Sequence, residues 1–155
     1  MPDIAYLSLG SNLGDRLRNL TKAVRALDRL PDTQVTGISR VYETEPVGVA
    51  GQPDFLNAVV CVETGLSALL LLRECQRIET ALLRERPFAH APRTVDIDIL
   101  LYNDLQLNDP ELTLPHPRMN ERNFVLVPLC ELTGNPASPH PAKGIVRLFD
   151  GQIVL

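Results

Sequence analysis

The chain is poor in the patterns that mark several large protein classes. It has no tryptophan and three cysteines, Cys61, Cys75 and Cys130. Their odd number, wide spacing and apolar neighbours, as in Val59-Val60-Cys61-Val62, leave neither a disulfide framework nor a Cys-x-x-Cys metal site, and small core residues are expected instead. Positive charge is also scarce: 15 Lys and Arg stand against 19 Asp and Glu, a net charge of -4. That balance argues against binding nucleic acid through the phosphate backbone, so any affinity for phosphate must come from a local cluster. No uninterrupted apolar run approaches 18 residues, and no basic segment precedes an apolar stretch at the start. No membrane association is therefore expected, and cytoplasmic residence is the default. Gly10-Ser11-Asn12-Leu13-Gly14 resembles a phosphate loop but lacks both the Gly-x-Gly-x-x-Gly and the Walker Lys-Ser/Thr patterns. It is read as structural, with Gly10 and Gly14 serving a turn and Asn12 bracing neighbouring loops. With no internal repeat and no long linker, residues 1–155 are read as one domain that buries about two thirds of its unfolded surface.

What is present alternates between strand and helix periods. Ile4 to Leu9 reads as a strand, and Leu17, Leu20, Val24 and Leu27 recur along one face of a helix ending near Leu30-Pro31. Thr33 to Thr44 reads as one strand, Glu45 to Asp54 as a Pro- and Gly-rich loop, and Phe55 to Glu63 as a third strand. Ser67 caps a second helix carrying Leu71, Cys75, Ile78 and Leu82 on its apolar face and Gln76 and Glu79 on its polar one. Val95 to Tyr102 is the fourth strand, with Asn103-Asp104 as a turn and Leu105-Gln106-Leu107 as its short partner. The order βαββαβ predicts an α+β, ferredoxin-like fold, an antiparallel sheet with helices packed on one face. A C-terminal extension follows, with a helical stretch through Phe124 to Val127, a Pro-rich segment from Pro136 to Lys143 that wraps the surface, and a strand-like run from Ile145 to Phe149.

The chemically loaded segment is Pro92-Arg93-Thr94-Val95-Asp96-Ile97-Asp98-Ile99-Leu100-Leu101. Alternate strand side chains face opposite ways, so Asp96, Asp98 and Leu100 share one face while Val95, Ile97, Ile99 and Leu101 load the other. At roughly 3.3 Å of rise per residue the two carboxylates stand about 7 Å apart. Like charges placed together beside a core need a raised pKa, an arginine or a divalent metal. With Arg84, Arg86 and Arg93 nearby, metal plus polyphosphate is favoured.

Four segments, taken together, resemble the 6-hydroxymethyl-7,8-dihydropterin pyrophosphokinase family: Gly10 to Arg16, Tyr42 to Pro46 with Gln52 to Ala58, Pro92 to Leu100, and Leu114 to Leu126. They occur in the family's order and spacing, from about Ala5 to Leu129. The resemblance implies transfer of a pyrophosphoryl group from ATP, the co-substrate, to the hydroxymethyl oxygen of a reduced pterin, with two Mg²⁺ ions and AMP leaving. It implies metal ligation by Asp96 and Asp98, which match the family's bridging carboxylates, and a phosphate clamp at Arg84 and Arg93. His116 and Arg122 match further phosphate contacts. Gln76 and Glu79 match residues on the nucleotide side, and adenine is expected near Ile99 and Thr113. For the pterin, Phe55 and Phe124 match a stacking pair, Asn57 an amide that donates and accepts, and Thr44 and Val47 positions at the pterin edge. A monomer is expected.

Two departures from the family pattern stand out. The segment Glu85 to Pro92 carries His90-Ala91 where a Trp-Gly pair is usual, so closure of a lid over ATP falls to His90 or Phe88. Glu45 replaces the first member of a common Pro-Pro pair. Two other readings remain open at this level. A ferredoxin-like binding module, such as an RNA-binding sheet, is opposed by the acidic charge and the lack of interleaved aromatic and basic residues. A pseudoenzyme with a pterin pocket and a weakened lid is separated from the enzyme by AMP formation.

Overall fold

The computed structural model describes residues 2–45, 53–83, 94–134 and 146–155. Strand β1 (Asp3–Ser11) leads through a tight turn, in which Gly14 takes a φ of 61°, to helix α1 (Arg16–Asp28). Asp15 caps that helix: its carboxylate accepts from the Arg18 N–H at 3.2 Å, satisfying a donor the first helical turn leaves without a partner. Strands β2 (Thr33–Ile38), β3 (Tyr42–Thr44) and β4 (Phe55–Thr64) follow, then α2 (Ala68–Leu83). Ser67 caps α2 as the sequence predicts, its hydroxyl accepting from the Leu70 N–H at 3.3 Å. Then come β5 (Asp96–Tyr102), a small hairpin of β6 (Leu107–Asn108) and β7 (Thr113–Leu114), helix α3 (Asn123–Thr133) and strand β8 (Val146–Leu148).

The main sheet runs β5-β1-β4-β3-β8, with β2 beside β3 on the same edge of β4, and every pair is antiparallel. Its two faces are separated by the strand period. Ala5, Leu7 and Leu9 of β1, Leu56, Ala58, Val60 and Val62 of β4, and Ile97 and Ile99 of β5 meet the apolar stripes of α1 and α2. Cys75 is buried there, and desolvation, with Glu79, Asp98 and Glu74 adding to it, pushes its thiol up to about 12. It packs as a small apolar group and stays protonated. On the opposite face Val59 and Leu100 meet Val125 and Leu129 of α3. The three helices therefore cover two faces, which corrects the expectation of helices on one face only. Strand β4 is apolar on both sides, so leaving Val59 under water would expose a side chain whose burial is worth about 2 kcal/mol.

Two further expectations change. The run Thr33 to Thr44 is broken into β2 and β3 because Ser39 takes over from the ladder. Its N–H donates to the Val59 carbonyl at 2.9 Å and its hydroxyl accepts from the Val59 N–H at 2.9 Å. The segment Leu105-Gln106-Leu107 does not partner β5: Leu107 pairs with Leu114 across the small hairpin. The β5 backbone is instead met by His116, whose N–H donates to the Leu100 carbonyl at 2.9 Å. The expected last strand is present as β8, paired with β3, whereas the Pro-rich segment lies outside the described residues.

Helix α3 is tied to the sheet by a polar contact as well as by its core side chains. The Glu131 carboxylate accepts from the Tyr42 hydroxyl at 2.7 Å, the Arg40 N–H at 2.8 Å and the Arg40 Nε at 3.1 Å. Burial opposes its ionisation, but the donors from Tyr42 and Arg40 outweigh that and hold the carboxyl below its ordinary range. Gly134 closes the helix at φ 74°, its N–H bonded to the Cys130 carbonyl.

Candidate active site

The second face of the sheet is covered by α3 over only part of its area. Where Val59 and Leu100 give way along their strands to Asn57 and Asp98, the face turns polar and opens. Register sets the floor: Gly10 lies opposite Asn57 on one side and Asp96 on the other, while Ser8 lies opposite Asp98. These residues share a face through the period of two. Phe55 and Asn57 rise from β4 and Thr44 from β3, while Arg118, Glu121, Arg122 and Phe124 descend from the 3-10 turn (Met119–Glu121) and the start of α3. Together with Glu45 they enclose a cavity of about 470 Å³.

Gly10 is part of the cavity rather than of the turn, which corrects the first reading of that residue. It sits inside β1, and a Cβ there would come within 3.0 Å of Asn57 Oδ1 and 3.7 Å of Phe55 Cδ1. The missing side chain thus leaves the floor open beside Asn57. Only 5% of Asn57 is exposed, and its Nδ2 donates to Thr44 Oγ1 at 2.8 Å. That bond fixes the carboxamide, directing its oxygen toward Gly10. An aromatic face at Phe55, another at Phe124 and a fixed amide between them suit a flat heterocycle with donors and acceptors on its edge.

A second cavity of about 220 Å³ is lined by Leu72, Asp98, Ile99, Leu112, Thr113 and His116, among others. Asp98 therefore borders both cavities. His116 is half-buried, and its Nδ1 accepts from the Arg118 N–H at 3.2 Å. The neutral ring consequently carries its proton on Nε2. Burial lowers the imidazole pKa, as do Arg122 and Arg118, with Asp98 pulling the other way, so the neutral ring is favoured near pH 7.

The remaining expected residues are placed less uniformly. Glu79 reaches from α2 to the start of β5, where its Oε2 accepts from the Ile97 N–H at 2.9 Å. It thereby fixes the backbone between the two aspartates. Gln76 is exposed on the polar side of α2 and borders neither cavity. Arg122 lies with its guanidinium carbon 5.7 Å from the Phe124 ring centre. Arg84, Arg93 and Val47, together with the lid residues Phe88 and His90, lie outside the described residues. Sequence reasoning missed Ser8 and the floor role of Gly10, which the strand period could have shown, and also Arg118 and Glu121, for which it held no signal.

Behind the cavity a charged network holds its walls. Arg16 donates to Glu43 Oε2 at 2.7 Å and to the Asp54 carbonyl at 2.9 Å, and Arg147 meets Asp54 Oδ2 at 2.8 Å. Helix α1, strand β3, the residues just before Phe55 and strand β8 are thus joined at one point. Asn12 completes the contact from the β1–α1 turn, its Nδ2 3.5 Å from the Pro53 carbonyl.

Two acidic side chains on one strand face, arginines and two aromatic rings around one cavity and a histidine at a second cavity that shares Asp98 have the character of a group-transfer enzyme. The family model for 7,8-dihydro-6-hydroxymethylpterin-pyrophosphokinase (HPPK) matches residues 6–134. The 2-amino-4-hydroxy-6-hydroxymethyldihydropteridine pyrophosphokinase of Bacillus subtilis is 47% identical over 132 residues, 85% of this chain and 79% of that protein. The enzyme of the same name from Pseudomonas aeruginosa is 42% identical over 154 residues, 92% and 95% of the two chains. Among solved structures, wild-type Plasmodium falciparum HPPK-DHPS shares the fold at a TM-score of 0.64 and 17% identity, covering 84% of this chain. The present chain spans 41% of that longer one. The chain belongs to the HPPK family, whose homologues transfer a pyrophosphoryl group from ATP to hydroxymethyldihydropterin in folate synthesis.

Proposed function

We propose that the larger cavity takes the pterin alcohol, the smaller one the adenylate part of ATP, and that Asp96 and Asp98 hold Mg²⁺ between them. The observation that carries this reading is the position of Asp98 on the border of both cavities. The donor set fits the ion: Mg²⁺ is served by one or two carboxylates, substrate phosphate oxygens and retained water. Among the described residues no group of three acidic, His or Cys side chains stands ready for a metal that needs a full protein cage. Magnesium bound there supplies charge neutralisation and polarisation of the transferring group.

The chain's own residues do the positioning. Phe55 and Phe124 sandwich the pterin, and Asn57 and Thr44, already bonded to each other, meet its polar edge, with Val47 beside them. Ile99 and Thr113 flank the adenine, and Gln76 and Glu79 support the nucleotide side. His116 donates from Nε2 to a phosphate oxygen, and Arg122, Arg84 and Arg93 hold the others, the planar guanidinium being suited to bidentate phosphate contact. Holding the hydroxymethyl oxygen in line with the β-phosphorus removes the entropy of bringing two substrates together. The same reading takes residues 1–155 as one domain with a ferredoxin-like core and a C-terminal extension, acting as a cytoplasmic monomer with two Mg²⁺ ions. No helix among the described residues is long and apolar enough to cross a membrane.

The test is product analysis with ATP, Mg²⁺ and the pterin alcohol. AMP and the pterin diphosphate should appear in equal amounts and depend on the divalent ion. ADP in place of AMP, or a rate untouched by chelation, would overturn the assignment.

A further inference from the structure

We infer that Arg118 grips the diphosphoryl group on the pterin side of the transfer and holds it in the product, a contact the nucleotide product does not share. The inference rests on the proposed function and deepens it. Arg118 borders the larger cavity together with Asp96, Asp98, Phe55 and Asn57, whereas the smaller one is bordered by Asp98, His116 and Pro117 without it. Its backbone is pinned from below, the N–H bonded to His116 Nδ1 at 3.2 Å. The guanidinium is exposed and makes no ion pair or side-chain hydrogen bond with another described residue. Arg122 on the same turn is different, since it is stacked against Phe124. Four carboxylates, Glu45, Asp96, Asp98 and Glu121, also face the cavity, and none of them is within ion-pair distance of Arg118 among the described contacts. A cation held over a cavity and left uncommitted is available for an anion that enters with substrate.

The chemistry says which anion. ATP lying across Asp98 has its α-phosphate toward His116 and its β- and γ-phosphates toward Arg118. In the transfer the bond from the β-phosphorus to the bridging oxygen breaks, and that oxygen leaves with AMP. The hydroxymethyl oxygen bonds to the β-phosphorus and one proton is lost to the medium. The diphosphate therefore stays in the larger cavity, attached to the pterin, while AMP stays in the smaller one. An arginine facing only the larger cavity contacts the diphosphate both before and after transfer and never contacts AMP. Two fork hydrogen bonds from a charged donor, part-exposed to water, amount to about a tenfold effect on affinity.

Calorimetric titration of the full chain with Mg²⁺ tests this, using 6-hydroxymethylpterin diphosphate, the parent pterin alcohol and AMP as separate ligands. In Arg118→Gln the diphosphate should bind about tenfold more weakly, with the alcohol and AMP unchanged, and Arg118→Lys should recover part of the loss. Unchanged diphosphate affinity, or an equal loss for AMP, would overturn the inference while leaving the proposed function intact. Failure of the unsubstituted protein to bind the diphosphate would overturn both.

Discussion

Replacing Gly10 by alanine should separate pterin recognition from nucleotide recognition with a single methyl group. The added Cβ stands 3.0 Å from Asn57 Oδ1 and 3.7 Å from Phe55 Cδ1, a few tenths of an ångström inside an ordinary carbon–oxygen contact of about 3.3–3.6 Å. Asn57 cannot yield freely, because it is buried and its Nδ2 is bonded to Thr44 Oγ1 at 2.8 Å. Relief therefore rotates the carboxamide and weakens that bond, and the methyl itself takes up room on the floor. Losing one or two well-aligned hydrogen bonds to a ring held there costs about 1–3 kcal/mol, or roughly five- to 150-fold in affinity. Stability should change little, since a glycine inside a strand is about 0.5–1 kcal/mol worse than alanine and that gain offsets the crowding. The smaller cavity does not include Gly10, so AMP affinity should hold. Titrating Gly10→Ala with the pterin alcohol and with AMP, alongside a thermal melt, reads all three quantities. Pterin affinity equal to that of the unsubstituted protein, or a parallel loss for AMP, would refute the reasoning.

Asp96→Asn and Asp98→Asn should each lower turnover by at least about a hundredfold while pterin affinity stays within a few-fold, because charge at the transferring group matters most in the transition state; steady-state kinetics with calorimetry checks the split. Arg16→Gln should loosen Glu43 and Asp54 behind Phe55 and raise KM for the pterin alcohol but not for ATP, read from paired substrate titrations. Glu131→Ala leaves the buried Tyr42 hydroxyl without its acceptor and should cost about 1 kcal/mol, visible as a lower urea midpoint. His116 has its pKa lowered on folding, chiefly by burial. The unfolded chain therefore binds the proton more readily, and the stability this site contributes is present above the unfolded pKa and lost as pH falls below about 6.5. Urea midpoints at pH 7.5 and 5.5 should fall less in His116→Gln than in the unsubstituted chain, and equal falls would contradict the assignment.

Local patterning made much of the fold legible. The spacing of Leu17, Leu20, Val24 and Leu27 determined a helix face, Ser67 a cap, and the alternation through Asp96 and Asp98 a shared strand face, since each depends on neighbours within a turn or two of chain. Less legible was anything that turned on competition between distant groups. Ser39 broke a β-rich run because Val59, twenty residues away, gave its hydroxyl and N–H better partners. The β5 backbone met His116 rather than Leu105 to Leu107 for the same reason.

By itself the sequence determined α1, α2 and the strands β1, β4 and β5, the buried stripe beneath α1 and α2, the paired carboxylates on one side of β5 and, through its spaced motifs, the family. Only the tertiary structure decided that α3 covers the other side, that it stops short of Asp96 and Asp98, that Gly10 is a floor, and that Arg118 and His116 look into different cavities. Periodicity assigns a side chain to a face of its own element. Which groups share a cavity follows from packing residues 8–10, 44, 55–57, 96–98 and 116–124 against one another, and that is set by strand register and by the volume of the side chains between them.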